Sequence, residues 1–127
     1  MNVVDSSGWL EYFADGPNAP FFEPPILDLK NLVVPTLSLF EVSKRIMQQK
    51  NETPALQAIA AMQQGNVVDL NATLALDAAR LSLELRIPMT DSIMLATSRS
   101  FDAVLWTQDS DFKDLDDVKY CKKKGLD

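Results

Sequence analysis

Residues 103–112, AVLWTQDSDF, decide how the chain is read. Val104, Leu105 and Trp106 form a short run of β-favouring apolar residues, which predicts a buried strand within DAVLWT. The strand empties into two aspartates, Asp109 and Asp111, one residue apart. Turns accept Asp readily because its side chain bonds to nearby backbone. Open α/β sheets also present ligand-binding groups beyond the carboxyl ends of their strands. The two acids are therefore either turn residues or groups aimed at a cation, and the rest of the chain must decide.

The same pattern opens the sequence. MNVVD is a short apolar run ending in Asp5, and SSGWLEYFAD follows as a helix with Ser6 or Ser7 as its cap and Trp9, Leu10 and Phe13 on one face. Gly16-Pro17 ends it. Pro24-Pro25 breaks FFEPPILDLKN, leaving a short helix over residues 26–30. NLVVP is a second strand, and TLSLFEVSKRIMQQK a helix with Leu37, Phe40, Ile46 and Met47 near helical spacing. ETPALQAIAAMQQG continues as a helix carrying Leu56, Ile59, Ala60 and Met62, with Gly65 at its end. NVVDL predicts a third strand and NATLALDAARLSLELR a helix. IPMTDSIMLATSRSF turns at Pro88 and is helical over 91–99. After the strand at DAVLWT come a turn or brief helix at DSDFKDL and a marginal fifth strand at VKYCK. Strands alternating with helices give an α/β class, with a central parallel sheet of four to five strands and helices on both faces. No repeat or linker divides residues 1–127, so one domain is expected.

Composition narrows the chemistry. The 127 residues are 46% hydrophobic, and no apolar run reaches the roughly eighteen residues that cross a membrane. The N-terminus places no basic segment before an apolar one, so no signal peptide is expected. One cysteine, Cys121, suits a reducing cytoplasm and reads as structural. With no histidine, Ser-His-Asp triads, His-zinc sites and histidine bases are excluded. No GxxxxGK[ST] or GxGxxG loop is present. The net charge of −6 opposes bulk electrostatic gripping of nucleic acid. If five acids share one cation-filled pocket, the remainder is nearly neutral, with Lys44, Arg45, Lys50, Arg80, Arg86, Arg99 and the late KYCKKKG free for phosphates.

Asp5 and Asp109 stand at strand ends, Glu41 lies near the start of the helix after LVVP, and Asp91 opens the helix before the fourth strand. Each has an ordinary alternative: Asp5 as a turn residue, Glu41 completing a capping box SLFE with Ser38, Asp91 favouring a helix N-terminus, Asp109 and Asp111 as turn polars. Those readings do not explain why all map to one rim. Clustered carboxylates raise one another's pKa, and divalent cations relieve the repulsion. An all-oxygen set suits Mg²⁺ or Mn²⁺ over Zn²⁺. Two such ions about 4 Å apart can activate water for in-line phosphoryl displacement. A haloacid-dehalogenase-like phosphatase wants a second Asp where DSSGW has Ser7, and a response-regulator receiver wants an acidic pair that MNVVD lacks.

In VVDSSGWLEYF at 3–13, VPTLSLFEVSKRI at 34–46, IPMTDSIMLATS at 87–98 and AVLWTQDSDF at 103–112, the chain resembles the PIN-domain family, specifically the small VapC-like toxins of prokaryotic toxin–antitoxin pairs. The resemblance covers essentially the full chain and implies a Rossmann-like parallel sheet and metal-dependent cleavage of RNA phosphodiesters. It matches Asp5, Glu41, Asp91 and Asp109 to the family's catalytic and metal-binding acids and Asp111 to a more variable position. Ser7 and Thr107 match supporting hydroxyls that orient carboxylates or waters. It also implies Mg²⁺, with Mn²⁺ as a substitute, an RNA substrate, an antitoxin partner and a homodimer. FFEPPILDLKNL with Leu37, Phe40 and Ile46 is a candidate groove for a partner helix. Trp9 and Phe13 either stack on bases or fill core, Phe112 plugs the acidic turn, and Arg80 and Arg86 either meet RNA or line a solvated helix face. The competing class is a non-catalytic α/β interaction domain that keeps an acidic cation site.

Overall fold

The computed structural model of the chain describes residues 1–124; the end of KYCKKKG, at Gly125, lies outside the described residues. Strand β1 (Asn2–Val4) leads through α1 (Ser6–Phe13), α2 (Ala19–Leu27) and a 3-10 turn at Leu29–Asn31 into β2 (Leu32–Pro35). Helices α3 (Thr36–Gln49) and α4 (Glu52–Met62) then lead to β3 (Asn66–Val68). Helices α5 (Ala72–Leu85) and α6 (Met89–Ser100) precede β4 (Val104–Thr107), a 3-10 turn at Ser110–Phe112, and β5 (Val118–Tyr120). The five strands pair in parallel in the order β3-β2-β1-β4-β5. This is the α/β sheet expected from the sequence, with the marginal fifth strand present.

Alternation along each strand sorts the core into two layers. Val4, Leu32 and Val34 pack with Trp9, Phe22, Ile26, Val42, Ala58 and Met62 from α1–α4. Val3, Val33 and Leu105 point the other way, onto Met94, Leu95 and Phe112, with Leu81 and Leu85 at the margin. The chain runs outward from β1 to β3 with α1–α4 on one face. It then crosses back beyond β1 to β4, so right-handed crossovers bring α5 and α6 onto the opposite face. The direction of travel reverses between β1 and β4, whose register pairs Val3 with Leu105 and Val4 with Trp106. The carboxyl ends of these two strands frame the crevice where such sheets bind ligands. Trp9, 1% exposed, and the buried Phe112 are core residues.

Several local expectations are corrected. Asp5, not Ser6 or Ser7, caps α1, with extended backbone and its carboxylate on the Gly8 amide. Helix α2 runs through Pro24 and Pro25 instead of breaking there. The two prolines remove i→i−4 donors, but Phe22, Pro25 and Ile26 are buried, and packing overrides propensity. Helix α6 starts at Met89, directly after Pro88. On α3 the buried stripe is Ser38 and Val42, leaving Phe40 59% exposed and Met47 outside; on α4 it is Ala55, Ala58 and Met62, leaving Leu56 exposed. Leu37 and Ile46 are nine residues apart, about half a turn out of phase at about 100° per residue. Leu37 packs beside Ala78, Ile93 and Ala96, and Ile46 packs on the α1 side, so Leu37, Phe40 and Ile46 make no common groove. Among the described residues no helix is long and apolar enough to cross a membrane.

Candidate metal centre and active site

The site grows from the ends of β1 and β4. Asp5 extends the ladder, its amide donating to the Trp106 carbonyl at 3.1 Å, and its side chain turns back as the cap of α1. One carboxylate oxygen accepts from the Gly8 amide at 2.8 Å and the Ser7 hydroxyl at 2.9 Å; the other accepts from the Thr107 hydroxyl. Thr107 Oγ1 in turn accepts the Asp109 amide at 2.9 Å, so one buried hydroxyl ties the two strand ends together. Asp109 Oδ1 accepts the Asp111 amide at 2.9 Å and thereby caps the 3-10 turn at Ser110–Phe112. Phe112, buried beneath that turn, anchors it to the core.

Two helices bring the remaining acids. Asp91 lies in the first turn of α6. Glu41 lies in the second turn of α3, where its Oε1 accepts the Ser6 hydroxyl at 2.6 Å. The capping box proposed for Glu41 is absent: α3 starts at Thr36, and Ser38 is buried inside it with its hydroxyl 3.7 Å from Met94 Sδ. A cavity of about 160 Å³ collects Asp5, Glu41, Asp91 and Asp109, with Ser6, Ser7, Thr90, Met94 and Phe112 completing its wall. Asp91, Asp109 and the exposed Asp111 can each offer a carboxylate oxygen within 4.8 Å of the others. Asp91 and Asp109 are common to both groupings. Asp5 sits deeper and is 6% exposed, whereas Asp111 stands on the outer lip.

The electrostatics follow from this crowding. Burial raises the Asp5 carboxyl from 3.8 to about 6, with Asp109 adding to the rise and the bonds from Thr107, Gly8 and Ser7 opposing it. Asp91 is also raised to about 6, by burial first and then by Asp109, Asp111, Asp5 and Glu41. A protein-only site thus holds repelling carboxylates partly out of water, a state that a divalent cation relieves. The donor set is all oxygen, which fits Mg²⁺ or Mn²⁺. Asp91, Asp109 and Asp111 could together hold such an ion, and Asp5 and Glu41 line the adjoining cavity with Asp91 and Asp109.

Ser6 does not cap α1, and its hydroxyl donates instead to Glu41, a contact that the local sequence does not signal. The available signal was a second hydroxyl beside Asp5, but a contact 35 residues apart requires α1 and α3 to be neighbours. Gln108 and Asn18 were also missed: Asn18 Nδ2 donates to Gln108 Oε1 at 2.9 Å and to the Lys122 carbonyl at 3.0 Å.

A switch-point crevice lined by carboxylates makes this an acidic α/β domain whose rim could hold a cation. The chain belongs to the PIN-domain family, whose model matches residues 3–118. The fold is also that of several solved toxins at low identity. A toxin–antitoxin complex from Klebsiella pneumoniae matches at TM-score 0.78 and 18% identity, over 94% of this chain and 96% of that one. A VapBC complex from Rickettsia felis, bound to a DNA fragment from its promoter, matches at 0.73 and 13%, over 95% and 97%. A VapC toxin from Mycobacterium tuberculosis that cleaves the sarcin–ricin loop matches at 0.69 and 16%, over 86% and 92%. No curated protein matches the chain significantly.

Proposed function

We propose that the chain is a Mg²⁺- or Mn²⁺-dependent endoribonuclease and the toxin of a toxin–antitoxin pair. The observation that carries this reading is the convergence of Asp5, Glu41, Asp91 and Asp109 on one cavity at the sheet's switch point. Family membership supports it, as does the likeness in fold to toxins solved with their antitoxins and to one that cleaves RNA. A bound divalent ion supplies counter-charge for the phosphate and a lowered pKa for water. Asp91 and Asp109 would hold that ion, with Asp111 within carboxylate reach of both and Asp5 lining the same cavity. Ser7, Gly8 and Thr107 fix both Asp5 oxygens, so the carboxylate has one orientation to offer. Glu41, held by Ser6, lines the same cavity and would orient water or a further cation there. In-line hydrolysis on this plan leaves a 3′-hydroxyl and a 5′-phosphate.

An antitoxin that covers the acidic rim belongs to this reading, as does a cytoplasmic setting, which suits the unpaired Cys121. A homodimer is supported by exposed apolar side chains, Leu76 and Leu83 on α5 and Met89 at the start of α6, at 54, 84 and 68% exposure. A single domain spanning residues 1–127 is part of the same proposal. The test is incubation of antitoxin-free protein with total cellular RNA and Mn²⁺, with mapped ends and a chelator control. Discrete metal-dependent cuts bearing 5′-phosphates are expected. Intact RNA across all classes rejects the nuclease and favours a non-catalytic interaction domain.

A further inference from the structure

A second cavity, of about 520 Å³, is distinct from the acidic one. It is a cleft among α1, α3 and α4, and Ser7, whose hydroxyl donates to Asp5, lines both, so the two cavities are neighbours. Its character is the reverse of its neighbour's. Arg45, Lys50 and Lys123 stand around it against one acid, Glu11, whose Oε2 accepts the Asn18 amide at 2.7 Å. Leu10, Phe13 and Ile46 give it an apolar wall, and Gln49 and Gln57 line it with amide groups.

We infer that this cleft seats the nucleotide next to the scissile phosphate of a single-stranded RNA, a refinement that rests on the ribonuclease reading. The charge pattern favours this occupant. An RNA strand must cross a carboxylate-rich rim that repels it, so a cationic cleft immediately beside the rim supplies the opposing attraction. The volume accommodates one nucleotide, an unpaired base presents an apolar face to Leu10 and Ile46 and a ring to Phe13, and its polar edge meets Gln49 or Gln57. Arg45, Lys50 and Lys123 are exposed and reach flanking phosphates as flexible charges. An apolar helix from a partner protein would leave these three cations without counter-charges.

The test uses the full chain as Asp5→Asn with a random single-stranded RNA 12-mer in Mn²⁺, followed by amide chemical shifts. Shifts at Leu10, Ile46 and Gln57 are expected, and Arg45→Ala with Lys50→Ala should weaken RNA binding about tenfold and flatten its salt dependence. In the parent chain the same pair should raise KM about tenfold with kcat and Mn²⁺ affinity unchanged. RNA shifts confined to the acidic rim, no RNA binding, or an unchanged KM overturns the inference. Cleft shifts produced by an acidic amphipathic peptide and not by RNA assign the cleft to a protein and also overturn it. RNA binding in the cleft without cleavage by the parent chain rejects the nuclease reading while leaving the cleft an RNA site.

Discussion

Asp5 accepts three hydrogen bonds and still titrates near 6, because burial outweighs them. In the metal-free protein, proton uptake by Asp5 and Asp91 contributes stability that is complete below about pH 4 and lost as pH rises through about 6. For Asp5 alone the effect is at most about 3 kcal/mol. Metal-free melting temperature should therefore rise as pH falls from 7.5 to 5; a fall over that range would contradict the raised values. Mn²⁺ competes with the same protons, so its affinity should be about 100-fold weaker at pH 5 than at pH 7.5. Calorimetry in buffers of different ionisation enthalpy reads both the affinity and the released protons. Thr107→Val removes one bond that lowers the Asp5 pKa and leaves the Asp109 amide without its acceptor. The midpoint of the metal-affinity profile should move upward, with cleavage reduced about tenfold; an unmoved midpoint would remove Thr107 from the site. The acids themselves are legible in the sequence because each follows a strand or lies in the first two turns of a helix. The Ser6–Glu41 bond was not visible, since it depends on how α1 lies over α3.

At the scale of elements, α1 is held close by Gly8. A Cβ there would come within 2.5 Å of the Phe22 ring and 2.8 Å of Val4. Gly8→Ala should cost about 1–3 kcal/mol through overpacking and should disturb the amide that binds Asp5. Chemical denaturation measures the first effect and Mn²⁺ affinity the second; wild-type values for both would show that α1 shifts freely. The strands were legible because runs such as NVV, LVVP and VLWT are short, β-branched and bounded by polar residues. Helix faces were less so. Phe40 and Leu56 are large and apolar, yet α3 and α4 bury Ser38, Val42, Ala55 and Ala58 instead. Small residues let α4 pack closely on α3, and hydrophobicity alone gives no sign of that. The Pro24-Pro25 pair misled for a related reason: local propensity argued for a break, and the buried Phe22 and Ile26 held the helix together.

Across the whole molecule, charge is segregated between a carboxylate-lined crevice and a cationic cleft that share Ser7. Divalent ions should therefore stabilise the native chain: saturating Mn²⁺ at pH 7.5 is expected to raise the melting temperature by several degrees. Asp91→Asn should raise the metal-free melting temperature slightly, by relieving repulsion, and abolish most of the Mn²⁺-dependent gain. An undiminished gain would place the ion elsewhere. The central claim is that Asp5, Asp91 and Asp109 make one metal site that hydrolyses RNA. Its most direct measurement is the cleavage rate of one RNA by wild-type and Asp5→Asn protein, side by side across a Mn²⁺ titration. Asp5→Asn removes charge with little change of volume, so its circular dichroism should match wild type. The wild-type rate should rise to saturation with Mn²⁺ while the Asp5→Asn rate stays at least about 100-fold lower throughout. Equal rates for the two proteins, or full wild-type cleavage in chelator, would contradict the account.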